Sequence, residues 1–283
     1  MSFEIILAII VIILMFFIGM SLNIKTLVRE FILIDKKFTA ICLSQILLIP
    51  LITYLLTEYV FSIGSEFQFF LMILSLAPGA VTSTFFIKLI DGNTYLSVKI
   101  SIIISLLSVL TIPLLLKLFL EITDSEIPIN LTRSIFQLVI IIAVPVLTGS
   151  IISNYWQEPS KQTIRWVTIL GIALAYILGI IDKYDLLEIS FLIPKFPILL
   201  MFLFIYTGIG ILVALLFKLH IADTKTVIIE TFMQNMAVVL LIINFLIPTS
   251  PFIILAVTWT TMQIMMAVGI YYFYHYFRKR NQT

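Results

Sequence analysis

Nine runs of predominantly apolar residues, each about 20 residues or longer, divide this chain, and runs of that length read as transmembrane helices. Lipid offers the backbone no hydrogen-bond partner, so each run must satisfy its own N–H and C=O groups by coiling. The expected spans are 4–23, 39–59, 67–89, 94–121, 133–155, 164–182, 191–217, 224–246 and 251–277. With a mean hydropathy of +1.19, 61% hydrophobic residues and 11% charged ones, the 283 residues leave no room for a soluble domain. The first run begins at Phe3 without a basic leader or a small-residue cleavage motif, so it reads as a retained helix. The one cysteine, Cys42, excludes an internal disulfide framework and a cysteine-built metal site, and reads as a small buried hydrophobe.

The charges sort by side. Lys25, Arg29, Lys36, Lys37, Lys88, Lys161, Arg165, Lys218, Lys225, Arg278, Lys279 and Arg280 fall on one face, against Lys117, Arg133, Lys183 and Lys195 on the other. The positive-inside rule makes the first face cytoplasmic, with the N-terminus outside and the C-terminus inside. Glu121, Asp124, Glu126, Asp182, Asp185 and Glu188 gather on the outer face. The net charge of +2 is no sign of nucleic-acid binding, because the basic residues sit at span ends. The composition suits a multi-pass protein of a bacterial inner membrane, and no obligatory protein partner is evident.

Two spans carry polar interruptions. In the third, Pro78-Gly79 falls at mid-membrane, followed by Thr82, Ser83 and Thr84. Proline removes a backbone donor, and glycine permits a turn. In the eighth, Glu230 stands deep in apolar sequence with Thr231, Gln234 and Asn235 beside it. A lone carboxylate there costs about 2.5–3.5 kcal/mol, so it needs a cation, a proton or a basic partner. Gln234, one turn on, is expected on the same helix face as Glu230. The two spans are five apart and run in opposite directions, as expected of an inverted-repeat transporter with a midplane site. No paired-carboxylate, HExxH or GxSxG motif supports an intramembrane enzyme, which leaves that class remote. Asp91-Gly92-Asn93 reads as an ordinary loop, and His220 and His275 as interfacial residues.

Four stretches, in order, resemble signatures of the bile acid:sodium symporter family. Met15 to Leu22 is similar to "MFxMGLSL", and Gln45 to Pro50 to "QxxLMP". Ala77 to Thr84 with Leu96-Ser97-Val98 resembles "CPGGTASN…LSV", and Glu230 to Asn235 resembles "EVGMQN". The resemblance implies an all-α polytopic fold of two inverted five-helix repeats, here in the form that lacks the first helix. A panel (1–38 and 127–190) would face a core (39–126 and 191–277), with 278–283 a cytoplasmic tail. It implies a first sodium site of Ser83, Thr84, Ser97, Ser101 and Glu230. A second would use Gln45, Glu230, Gln234 and the backbone carbonyls of Thr231 and Met233. Thr82, Asn235 and Thr261 would lie beside the organic anion. All these ligands are oxygen donors, as a hard cation requires.

The chain departs from those signatures at Thr84, Ala80, Phe232 and Trp259-Thr260-Thr261, where the family carries asparagine, glycine, glycine and "WHN". The last change favours a short-chain carboxylate over a steroid as substrate. Phe232 means that the eighth span must unwind without a glycine. Lys99, between Ser97 and Ser101, leaves two readings open. Its ammonium either pairs with Glu230 in place of a sodium ion, or points about 200° away and snorkels to the interface. The leading expectation is sodium-coupled symport of a small organic anion by alternating access. The alternative is a sodium-independent or proton-coupled carrier built on a Lys99–Glu230 pair.

Overall fold

The computed structural model describes residues 3–20, 36–61, 63–80, 82–123, 139–153, 189–246 and 251–280, and scattered positions from 133 to 181. Most of the expected sixth span lies outside the described residues. So do Lys25, Arg29, Lys161, Arg165 and Lys183, and the acidic Asp124, Glu126, Asp182, Asp185 and Glu188.

All the described elements are helices. α1 is Phe3–Met20, α2 Lys36–Val60, α3 Ser65–Leu76, α4 Ser83–Leu89 and α5 Thr94–Ile122. α6 is Val139–Ile152, α7 Phe196–Leu216, α8 Ile221–Phe232, α9 Met236–Leu246 and α10 Phe252–Arg280. Among them α2, α5, α7 and α10, at 25, 29, 21 and 29 residues, are long and apolar enough to cross a membrane unbroken. Leu110, Leu114, Leu118 and Ile122 form an exposed stripe at four-residue spacing along α5, a face fitted to lipid. The molecule is thus an all-α polytopic membrane protein.

The third and eighth expected spans are each split in two. At 12 residues, α3 and α8 reach only about 18 Å along their axes, well short of the hydrocarbon core. Local chemistry ends α3: the ring of Pro78 disfavours helical backbone at the preceding residue, and Ala77 is extended at φ −66°, ψ 140°. Every residue of α3 from Phe67 to Leu76 is buried, as is every residue from Met236 to Ile243 of α9. Helices that are apolar on all sides belong at the centre, and these broken elements occupy it.

Proline also reshapes two helices that stay continuous. Wide π-helical turns at Ser44–Leu48 in α2 and Val139–Ala143 in α6 each end two residues before a proline, Pro50 and Pro145. A proline cannot donate to the carbonyl four residues back, and a widened turn relieves the clash. α1 and α6 lie against one another so closely that a Cβ on Gly19 or Gly149 would run into the opposing backbone.

Candidate functional site

The breaks in the two split spans meet. Gly79 and Gln234 form an isolated antiparallel bridge. Ala80 N–H donates to Met233 O at 2.7 Å, and Asn235 N–H donates to Pro78 O at 2.7 Å. Each unwound segment therefore satisfies backbone groups of the other, as non-helical backbone in a membrane must.

The end of α8 has no proline or glycine to cause it. Met233 leaves the helix at φ −86°, ψ 87°, and among the described residues no glycine has a positive φ. The break is held from outside, by the bridge and by Gln263 on α10. The Gln263 side chain is buried, accepts from Gln234 N–H at 3.1 Å, and donates through Nε2 to Gln234 O at 3.4 Å. Two sequence expectations change here. Gly79 is not needed for an unusual φ; it is needed for room, because a Cβ there would sit 2.5 Å from Glu230 Oε2. Gln234 does not share a helix face with Glu230, because α8 has already ended at Phe232. Its side chain folds back instead, donating from Nε2 to Thr231 O at 3.1 Å.

Behind the bridge lies Glu230, fully buried. Ser83 Oγ donates to its Oε1 at 2.5 Å, Ser97 Oγ to the same oxygen at 2.6 Å, and Ser101 Oγ to Oε2 at 3.4 Å. Thr84 Oγ1 lies 2.7 Å from Ser97 Oγ. Local sequence explains each placement. Ser83 and Thr84 open α4 immediately after the break, and Ser97 and Ser101 are one turn apart on α5. Asn93 caps α5, its side chain accepting from Leu96 N–H at 3.0 Å, and so fixes where that turn begins. The five residues expected at the first cation site thus form one connected cluster. Its donors are one carboxylate and four hydroxyls, a set that suits a hard monovalent cation.

The residues expected at the second site are gathered less tightly. Gln45 is buried in the π-turn of α2, and its Nε2 has no hydrogen-bond partner among the described residues. A buried amide left so is costly, and π-turns recur at functional positions. The carbonyls of Thr231 and Met233 accept from Gln234 Nε2 and Ala80 N, each keeping a second lone pair.

Of the residues expected near the organic anion, Thr82 lies at the start of α4 and is half-buried. Asn235 is buried in the bridge. Thr261 is exposed on α10, its hydroxyl donating to Val257 O at 3.0 Å. Lys99 is buried on the side of α5 that faces α2, with Nζ 4.5 Å from the centroid of the Phe38 ring. Sequence reading missed Gln263. A single amide among apolar neighbours in a long helix carries no local signal, and only the crossing gives it meaning.

The loop between α4 and α5 is tied to the same elements. Asn93 N–H donates to Thr226 Oγ1 at 2.8 Å, and Asn93 Nδ2 donates to Asp223 Oδ1 at 2.8 Å. These contacts join the start of α5 to α8 and hold Ser97 in register with Glu230.

The family model for the Sodium Bile acid symporter family matches residues 8–188. A relative from Bacillus subtilis (strain 168), named "Uncharacterized sodium-dependent transporter YocS", is 27% identical over 202 residues. That similarity covers 68% of this chain, and the chain spans about 60% of the relative's length. Split central helices, a buried carboxylate at their crossing and the matched family model agree: this chain belongs to the sodium bile acid symporter family.

Proposed function

We propose that the chain is a secondary active transporter that couples inward sodium movement to import of a small organic anion by alternating access. The observation that carries this reading is the cluster of Ser83, Thr84, Ser97 and Ser101 around the buried Glu230 carboxylate, behind the crossing of two broken helices. There the carboxylate supplies the formal charge and the hydroxyls supply neutral oxygens. A second ion would draw on Gln45, Gln234 and the Thr231 and Met233 carbonyls. Two sodium ions on one carboxylate leave net positive charge, which favours an anionic co-substrate beside Thr82, Asn235 and Thr261.

Sodium would tighten the crossing because its ligands come from α4, α5 and α8 together. A tighter crossing raises anion affinity, and linkage requires the anion to raise sodium affinity by the same factor. The panel (1–38 and 127–190) rocks against the core (39–126 and 191–277) in this scheme, with the C-terminus in the cytoplasm. The position of Lys99 over Phe38 favours sodium coupling over a Lys99–Glu230 pair.

Uptake by proteoliposomes tests the reading. Short-chain carboxylates, such as 2-oxo acids or pantoate-like hydroxy acids, are offered under an inward sodium gradient. Accumulation that collapses when potassium replaces sodium supports it, whereas uptake indifferent to sodium but driven by a pH gradient would replace it with the proton-coupled carrier.

A further inference from the structure

Three helix ends converge on the basic face of the molecule, away from the ion cluster: the turn after α4, the start of α8 and the last turns of α10. Between them is a groove of about 520 Å³, within the range of small-molecule sites. Ile270, Phe273 and Phe277 form its apolar wall, with Ile90 opposite, and Phe273 and Phe277 are 66% and 41% exposed. Lys225 and Arg278 stand at its edge beside Tyr274.

These cations keep capacity for a ligand. Lys225 Nζ donates to Ile90 O at 2.7 Å and rests 4.0 Å from the Tyr274 ring centroid, which uses one of its three N–H groups. Arg278 gives Nη1 to Asp91 Oδ2 at 2.5 Å, leaving most of its five N–H groups. Two cations against one carboxylate leave a local charge of +1, and Lys279 and Arg280 follow in the same turn. A free phosphate would meet the charge but leave the carbon-lined wall bare.

We propose that this groove binds an anionic phospholipid, its phosphate at Lys225 and Arg278 and an acyl chain along Ile270, Phe273 and Phe277. On the orientation proposed above, the groove faces the cytoplasmic leaflet, where anionic lipids attract basic segments. Because α4 and α8 each carry half of the crossing, a lipid held here would brace the two broken spans from one side.

Native mass spectrometry of the detergent-solubilised protein tests this, and it depends on neither membrane orientation nor sodium. Equal amounts of dioleoylphosphatidylglycerol and dioleoylphosphatidylcholine are offered. The wild type is expected to retain the anionic lipid at least about fivefold over the zwitterionic one. Lys225→Gln with Arg278→Gln should abolish that preference, while Lys36→Gln with Lys37→Gln, which neutralises two exposed cations elsewhere, should not. Phe273→Ser keeps both cations and should also weaken retention, so it decides the matter even if the double variant does not fold. Equal retention of both lipids, equal loss in the Lys36/Lys37 control, or unchanged retention in Phe273→Ser would each overturn the proposal. Displacement of the lipid by millimolar glycerol phosphate would do the same, by showing that a soluble phosphate is the ligand.

Discussion

Gly79 and Glu230 share a space that admits no further atom: a Cβ added at residue 79 would stand 2.5 Å from Glu230 Oε2, well inside van der Waals contact. The bridge fixes that approach, and with it the carboxylate's position against Ser83, Ser97 and Ser101. Gly79→Ala should therefore push the carboxylate from the hydroxyls and weaken sodium binding at least about tenfold, or about 1.4 kcal/mol. Gly208→Ala is the control, since a Cβ there meets nothing within 4 Å and alanine favours a helix. Sodium titration by calorimetry separates the two; equal affinities would show that the close approach does not position the ion ligands.

Gln263 brackets the break at Gln234 through both its backbone groups. Gln263→Leu keeps the bulk and removes the partners, which should cost about 1–3 kcal/mol for the backbone groups left buried. Thermal unfolding measures that loss. Sodium affinity should fall with it, because the bracket and the cluster share the end of α8. A destabilised protein with unchanged sodium affinity would confine Gln263 to packing.

Lys99→Ala should leave sodium dependence and stoichiometry unchanged, because its ammonium lies over the Phe38 ring on the face of α5 opposite Ser97 and Ser101. Flux assays with labelled sodium and substrate count the ions. One additional sodium per cycle in the variant would restore the Lys99–Glu230 pair as part of the mechanism.

Asp91 accepts from Tyr274 Oη at 2.8 Å and from Arg278, with Lys225 and His275 nearby. The Tyr274 hydrogen bond first, then the Arg278 and other positive charges, hold its carboxyl below the usual carboxylate range. A carboxyl lowered in the folded state stabilises above its unfolded pKa of about 3.9 and loses that contribution as pH falls through the folded value. Both partners are about half exposed, so the effect is small. Asp91→Asn preserves the left-handed backbone at φ 53°, which asparagine tolerates, and so removes mainly the charge. The melting-temperature gap between wild type and variant should be present at pH 7 and close as the pH drops below about 4; a gap constant with pH would assign it to something other than this carboxylate.

Much of the fold is legible in the chain because its signals are local. Pro78 disfavours helical backbone at Ala77, and Ser97 and Ser101 share a face because of helical spacing alone. Glu230 announces itself by its cost in lipid. What escaped reading depends on the partner strand of the crossing. Gly79 is needed for space that only Glu230 defines, and Gln234 leaves the helix because Ala80, Pro78 and Gln263 claim backbone around it. The π-turns before Pro50 and Pro145 are likewise invisible to a count of apolar residues, although proline causes both.

The central claim is that sodium binds at the Glu230 cluster. Thermal unfolding of the purified protein in sodium and in potassium at equal ionic strength, with Glu230→Gln alongside, tests it most directly. At a sodium concentration 100 times Kd, the wild type should gain about 2.7 kcal/mol, seen as a rise in Tm absent in potassium. The variant should show no difference between the two salts. Identical wild-type curves in sodium and potassium, or a sodium-specific rise that survives in Glu230→Gln, would contradict the assignment.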